Sequence, residues 1–502
     1  MRRSSRRTSA GLVLLGLVAS ARPVNPEFYG DYRSVSAIAL LPRGGVAIAS
    51  KGGLLTWQPG GPLKSYGWRG LIGTRGPEDV WERGGSVLAS TGERVAALEK
   101  SGLSLLPQEV PRRQGVIEVT PEGLVSPERP TWPGAPGPEL VPTKEITGTH
   151  VSALAVDRGK LLAAWYGDGL WRHDGRSWSR APEPPGRLPQ VRALAWKDGR
   201  IAAATFDGDL HVFQGSKWTK LPRPNLPQGS IYSMEKLGEM VFAGSFEDGL
   251  SYWDRGKWTT IKPPTLSSPH ARHMAVFQNR LYVRQTTGEV DRFDGTKWTK
   301  NIFPWLLRGA ATCLGSGAGK LLVGQWGGWS EFDGVRWTHH LKLPELQGFV
   351  VTALGARKGE VWIGSQEHGL FRHREGRPLS AFDQRHGLGN DWVRNILCDG
   401  ENLVVGMFLT GAYRMGGDQF ERLTPEVRGE ATALVRQPGT NVLFFGTREG
   451  LWKIDGAAAK VQVGGLAQLE VQSLLSTPEH LWIGTPNGVA RISWAQLKRE
   501  NK

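Results

Sequence analysis

Seven residues stand just before a recurring glycine in this chain: Tyr166, Phe206, Phe246, Trp326, Gln366, Phe408 and Arg448. Acids accompany the first three at Asp168, Asp207 and Glu247. Aromatic faces set at regular intervals among polar groups suit sugar rings, whose apolar faces stack while their hydroxyls find donors and acceptors. The segment GQWGGW is the least regular member of the series. In it Trp326 and Trp329, flanked by glycines, replace the usual acid and leucine. These eight residues are the ligand-binding candidates. The plainer reading has the aromatics covering strand ends and the acids bracing turns.

Catalytic and metal chemistry find less support. His270 and His273 have ligand-like spacing and His339 and His340 are adjacent, but no third ligand motif accompanies either pair, so both read as loop residues. Asp207-Gly208-Asp209 lacks the ligand spacing of a calcium loop and reads as a hairpin. No glycine-rich phosphate loop or nucleophile elbow is present. The expectation is therefore no catalytic residue, no metal and no cofactor. A polysaccharide lyase or glycoside hydrolase, working through an acid, tyrosine or histidine of a channel face, stands as the alternative, and an assembly platform as a third reading.

The elements that must position these residues come from an internal repeat. Units begin at Val151, Val191, Ile231, Ala271, Ala311 and Val351, each forty residues after the last, and continue at Val393, about Thr432 and Val471. Each unit holds four short apolar runs separated by turn signals, the pattern of a four-stranded antiparallel blade. Gly169, Gly208, Gly249, Gly288, Gly369, Gly450 and Gly488 recur where the second run must reverse into the third, a place favouring positive φ. An Asp-Gly pair with a Trp three residues after the Gly marks the next turn at Asp174, Asp294 and Asp333. Trp178, Trp298 and Trp337, with Trp218 and Trp258 in the same place, are expected to pack between blades.

Fainter units start at Val35, Val80 and Gly115, and Pro107 to Thr149 is irregular and proline-rich. The fold class is all-β: a β-propeller of about twelve four-stranded blades. That number exceeds the roughly eight blades of one ring, which predicts two tandem propellers, with one large ring as the alternative. The division is set at 22–270 and 271–494, followed by a polar tail at 495–502. The last unit supplies only three strands, whereas Pro26 to Arg33 reads as a lone outer strand, so the two chain ends are expected to complete one blade.

Arg2, Arg3, Arg6 and Arg7 precede an apolar run and an Ala19-Ser20-Ala21 cleavage pattern, which predicts a signal peptide at 1–21 and a periplasmic or secreted protein. The formal net charge of +15 favours acidic partners such as glycans, while nucleic acid is a poor fit and the mature chain has no integral membrane segment. Cys313 and Cys398 fall in different units and are expected as buried free thiols.

Three stretches, VVTALGARKGEVWIGSQEHGLFRH from Val350, HGLGNDWVRNILCDGENLVVG from His386 and VQSLLSTPEHLWIGTPNGVARI from Val471, resemble the two-component regulator propeller repeat. In that family tandem propellers form the periplasmic sensor of hybrid regulators and often recognise glycan fragments, ahead of a membrane segment, a kinase and a DNA-binding domain. This chain departs by stopping after the repeats, so the resemblance implies a stand-alone exported propeller that binds a glycan or an envelope protein. It carries no ligand residue over, because the matched positions are those that build blades.

Overall fold

The computed structural model describes the strand Glu27–Gly30 and most of the chain from 35 to 499. Residues 1–26, 31–34, 67–77, 107–117, 126–140, 143–150, 304–310, 464–469, 500–502 and some shorter loop stretches lie outside the described residues, and with them the expected signal peptide and Glu247.

Among the described residues there are twelve antiparallel sheets, eleven with four strands and one, over 118–142, with three. In all but one sheet, consecutive strands of the sequence are neighbours in space. The second strand of most units is the most apolar because it is covered on both faces. Leu161–Trp165, Val241–Ser245, Val361–Ser365 and Leu481–Thr485 are buried at every position. A strand sandwiched between stacked sheets cannot alternate, whereas the outer strands, half wet, can.

The expected punctuation is realised. Gly249 has φ +80°, and a Cβ there would lie 2.5 Å from the Ile261 carbonyl oxygen, so only glycine fits this reversal. At the next turn Asp174 Oδ1 accepts hydrogen bonds from Arg176 N at 2.8 Å and Ser177 N at 3.0 Å, and Asp294 and Asp333 do the same for their own turns. These bonds to the charged form hold the three carboxyls below their ordinary pKa, Asp294 at about 2. The five tryptophans all belong to, or pack against, buried clusters. Trp258 meets Trp482 of a neighbouring sheet edge to face, with centroids 6.1 Å apart.

The first strands pack side by side in two groups. Ile231–Leu237 lies on Ala271–Phe277, and contact continues through Cys313–Gly317, Val351–Arg357, Val393–Asp399 and Ala433–Arg436 to Ser473–Ser476, which returns to Ile231–Leu237. That closes a circuit of seven sheets. In the other group Val151–Asp157 packs on Val191–Lys197, which packs on Val35–Leu40, which packs on Asp79–Arg83. No packing break falls at 270, since the 231–261 sheet joins both 271–299 and 473–493.

Glu27–Gly30 pairs antiparallel with Gly488–Ser493, with Glu27 opposite Arg491 and Gly30 opposite Gly488, so both chain ends build the last sheet as expected. The stretch expected as a polar tail starts with a short helix, Trp494–Arg499, whose Trp494 and Leu497 are buried against Phe444 and Leu481. No helix among the described residues is long and apolar enough to cross a membrane. Cys313 and Cys398 are free, and burial pushes both thiols up to about 12.

Candidate functional site

The seven-sheet circuit surrounds a cavity of about 550 Å³. Its lining is built by a recurring irregularity. After the first residue of the inner strand the pairing slips by one, between Ile231 and Ser233, Ala271 and His273, Val351 and Ala353, and Val393 and Asn395. The extra residue of such a bulge has no partner across the ladder. At this repeat position stand Tyr232, Arg272, Thr312, Thr352, Arg394, Thr432 and Gln472, all of which line the cavity.

Three of them are structural. Thr312 Oγ1 donates to Val351 O at 2.6 Å, Thr352 Oγ1 to Val393 O at 2.5 Å and Thr432 Oγ1 to Val471 O at 2.5 Å, each stapling one sheet to the next. Asn395 Nδ2 donates to Ala431 O at 2.6 Å and Ser473 Oγ to Ile231 O at 2.8 Å, the latter sealing the circuit.

The remaining lining is basic. Arg272, Arg284, Arg394 and Arg448 face the cavity with two acids, Glu430 and Glu470. The buried Glu430 carboxylate is taken by Arg394 Nε at 2.7 Å and Arg448 Nε at 3.3 Å. Arg284 Nε donates to Ala311 O at 2.8 Å, and the Arg272 guanidinium lies 5.4 Å from the Tyr232 ring centroid. Burial and the charge of Arg272 bring Arg284 down to about 10. Burial first, then Arg284, Arg272 and Arg394, keep His273 well below the ordinary imidazole range and therefore neutral.

Around this cavity gather five of the eight sequence candidates. Trp326 is 67% exposed and bridges Val350, which lines the cavity, and Gln366 N donates to Val350 O at 3.0 Å. Phe408 stacks at 4.1 Å on Trp392, which stands two residues before Arg394. Phe246, 37% exposed, packs on Tyr232 at 6.1 Å and on His270 at 5.2 Å. Arg448 is itself a lining residue. Tyr166 and Phe206 are exposed too, but on the other group of sheets, where Gln190 Nε2 donates to Tyr166 Oη at 2.6 Å and Arg192 lies 5.5 Å from the Phe206 ring.

Trp329 is different, because it is fully buried and so packs rather than meets solvent. Its Nε1 donates to Glu331 Oε1 at 3.0 Å, and its ring stacks on His340 at 4.4 Å. Trp326 sits in the turn between the strands Lys320–Gln325 and Gly328–Phe332, whereas Trp329 is paired within the second of them. Asp168 is buried as well, accepting from Trp171 Nε1 at 2.9 Å and pairing with Arg180 at 2.5 Å, which makes it a turn brace.

Two histidine expectations need correction. His273, His339 and His340 lie in strands, not loops. Glu331, His340 and His373 come close enough to hold a metal, with ligand atoms within 4.8 Å of one another. The carboxylate is already engaged, however, by the Lys320 ammonium and the Trp329 indole. Burial opposes its charge, yet hydrogen bonds from His340, Lys320 and Trp329 draw Glu331 down to about 2. An ion pair between stacked rings accounts for the cluster.

Sequence reasoning named Arg448 but missed Arg272, Arg284 and Arg394. For Arg272 and Arg394 the available signal is the second residue of each unit, which reads Tyr, Arg, Thr, Thr, Arg, Thr, Gln around the circuit.

No family profile matches the chain, and no curated protein matches it in sequence. Solved structures do. A GH74 enzyme of Niastella koreensis is similar over 92% of this chain and 91% of its own, with a TM-score of 0.50 at 11% identity. The extracellular domain of a putative hybrid two component system from B. thetaiotaomicron covers 92% of this chain and 70% of its own, with a TM-score of 0.45 at 16% identity. YCF48 bound to a D1 peptide covers 53% and 93%, with a TM-score of 0.43 at 12% identity. At these identities the likeness concerns the fold, and it agrees with the sheets: the chain is an all-β protein of the β-propeller class.

Proposed function

We propose that the chain is an exported binding or sensing scaffold of the bacterial cell envelope, and that its ligand face is the ring of hairpins around the cavity of the seven-sheet circuit. The observation that carries this reading is Trp326, a large aromatic left 67% exposed beside a cavity. It does not stand alone, since Phe246, Tyr232 and Phe408 are at the same rim. Exposed aromatics gathered in one place, unlike those scattered singly, mark a surface that something covers in use. Such a rim suits sugar rings, and glycans are the proposed ligand class. The signal-peptide pattern at the start of the sequence supports a periplasmic or secreted location. The packing further supports a division of the chain into an N-terminal propeller over 35–220 and a second one over 231–493 closed by Glu27–Gly30, rather than a division at 270.

Screening the purified mature protein on a glycan array tests this. Trp326→Ala should weaken each captured glycan by at least about tenfold, the scale of losing one stacked ring in a desolvated contact, while its unfolding temperature stays unchanged. Capture that is indifferent to Trp326→Ala would place the ligand elsewhere.

A further inference from the structure

The cavity holds an imbalance that the fold does not need. Inside a protein, cations are ordinarily matched by acids or left to reach water. Here Glu430 is shared by Arg394 and Arg448, and among the described residues neither Arg272 nor Arg284 has a carboxylate within ion-pairing distance. Arg284 spends one N–H on Ala311 O and keeps its terminal nitrogens uncommitted to any acid. The Arg272 guanidinium lies against the Tyr232 ring and close enough to Arg284 and His273 for its charge to act on both. Two further polar atoms, His273 Nδ1 and Gln472 Oε1, are buried without a hydrogen-bond partner. Both belong to residues lining the same cavity.

Of these groups only Arg284, through its bond to Ala311 O, also helps to join one sheet to the next. Most of the stapling is done by Thr312, Thr352, Thr432, Asn395 and Ser473, so Arg272 occupies a bulge position where three other units use a threonine to join the sheets. Like charges kept close in a cavity raise the energy of the empty protein, and an anion between them would relieve it. A guanidinium offers a planar fork of donors that matches the two oxygens of a carboxylate, sulfate or phosphate. A volume of about 550 Å³ is within the range of small-ligand sites, large enough for a sugar unit that carries such a group.

We propose that Arg272 and Arg284 form an anion-binding site inside the seven-sheet circuit, so that the ligand taken by this face is an acidic saccharide whose carboxylate or sulfate enters the cavity while its ring meets the aromatic rim. The saccharide part rests on the ligand face proposed above, whereas the anion site stands on the cavity alone. Hydrogen bonds to the anion come from the two guanidinium groups, with His273 supplying a further N–H from its neutral ring. Neutral chains of the same sugars lack the group that satisfies the arginines, and should bind less well.

The test uses the purified mature chain, first with inorganic sulfate as the probe. At constant ionic strength set by chloride, sulfate should raise the unfolding temperature of the wild type. Arg272→Gln and Arg284→Gln should each remove most of that rise; in chloride alone Arg272→Gln should unfold no lower than the wild type, because removing one of two repelling charges relieves the empty cavity, while Arg284→Gln, which also loses the bond to Ala311 O, should unfold lower but in a cooperative transition. The chloride measurement thus shows that the variants are folded. A sulfate effect that is absent in the wild type, or unchanged in both variants, overturns the anion site. The second arm titrates a short uronic acid oligosaccharide and its methyl ester by calorimetry. Tighter binding of the acid by at least about tenfold, lost in Arg272→Gln, supports an acidic saccharide, in line with the strength of charge-assisted hydrogen bonds. Equal binding of acid and ester, unaffected by Arg272→Gln but lost in Trp326→Ala, overturns the anion site and leaves the ligand face standing. A sulfate effect that Arg272→Gln removes, with neither saccharide bound, keeps the anion site and discards the glycan face.

Discussion

The sheets over 35–220 and those over 231–493 are made from the same repeat, yet they are packed with different residues. In the first group the buried positions of the central strands are largely alanine: Ala47, Ala49 and Ala89 in one cluster, Ala203 in a second and Ala163 in a third. In the second group the corresponding strands carry Phe242, Tyr282, Trp362, Phe444, Phe445 and Trp482. Small side chains let neighbouring sheets approach closely, whereas large ones hold them apart and bury far more apolar area per residue. The seams differ too. A single guanidinium, Arg200, reaches the Leu41 and Gly45 carbonyls at 2.9 Å to join two N-terminal sheets, while the later circuit uses a belt of hydroxyl and amide staples. The difference teaches that one repeat can be tuned for closeness in one region and for an open cavity in another.

This comparison predicts two separable unfolding transitions in calorimetry, and each variant below should move only its own. Trp362→Ala, at a fully buried site, should cost the later circuit about 3–5 kcal/mol and leave the N-terminal transition in place. Ala203→Gly, in contrast, should cost the N-terminal group only about 1 kcal/mol. If both transitions shift together with Trp362→Ala, the two regions unfold as one unit and the contrast fails.

The pH dependence sharpens the same contrast. Burial raises Glu235, in the strand Ile231–Leu237, to about 7 from an ordinary value of 4.5. A raised carboxyl contributes stability that is complete below its unfolded value and is lost as pH climbs through its folded one. The later circuit should therefore weaken between about pH 4.5 and 7, by at most about 3 kcal/mol. Glu235→Gln should abolish that slope and raise the circuit's stability at pH 8, as read by urea titration at several pH values. A slope that persists in the variant would assign it to another group. Glu331 acts with the opposite sign, since its lowered pKa places its loss between pH 4.5 and about 2.

Removing residues 1–33 deletes the clasp strand and should destabilise the later circuit, not the adjoining N-terminal sheets, by about 2 kcal/mol or more, given the backbone hydrogen bonds lost. Limited proteolysis of the last sheet would report it. Arg200→Ala should cost the N-terminal group about 2 kcal/mol and Ser473→Ala the later circuit about 1 kcal/mol, each measured against the other as control.

Much of the frame was legible because a repeat makes its own alignment. The unit starts at Val151, Val191, Ile231, Ala271, Val351 and Val393 are each the first residue of an inner strand. The hairpin glycines Gly169, Gly208, Gly249, Gly288, Gly369, Gly450 and Gly488 all have positive φ. Which strands the 231–261 unit packs on was not legible, because that unit reads like its neighbours on both sides. Exposure of Trp326 and Phe246 at the site, and of Tyr166 and Phe206 on the other group of sheets, followed from their place at hairpin tips. Trp329 misled because glycines beside it suggested a loop, while strand pairing with His340 takes it indoors. The arginines were invisible for a different reason: Arg272 and Arg284 are in separate strands of one sheet, and their nearness across the cavity to Arg394 depends on the circuit closing.

The pairing of Glu27–Gly30 with Gly488–Ser493 also sets an order of events. The strand that is made first is the one whose partner is made last. Sheets over 35–220 can form as they emerge from the ribosome or an export channel, because each finds its neighbours nearby in sequence or within the same group. The circuit of seven cannot be sealed until the final strand arrives, and until then the first one waits with its backbone unpaired. Completion of the cavity therefore waits on the strand Gly488–Ser493, and a product cut short before it would carry the N-terminal sheets without a closed circuit.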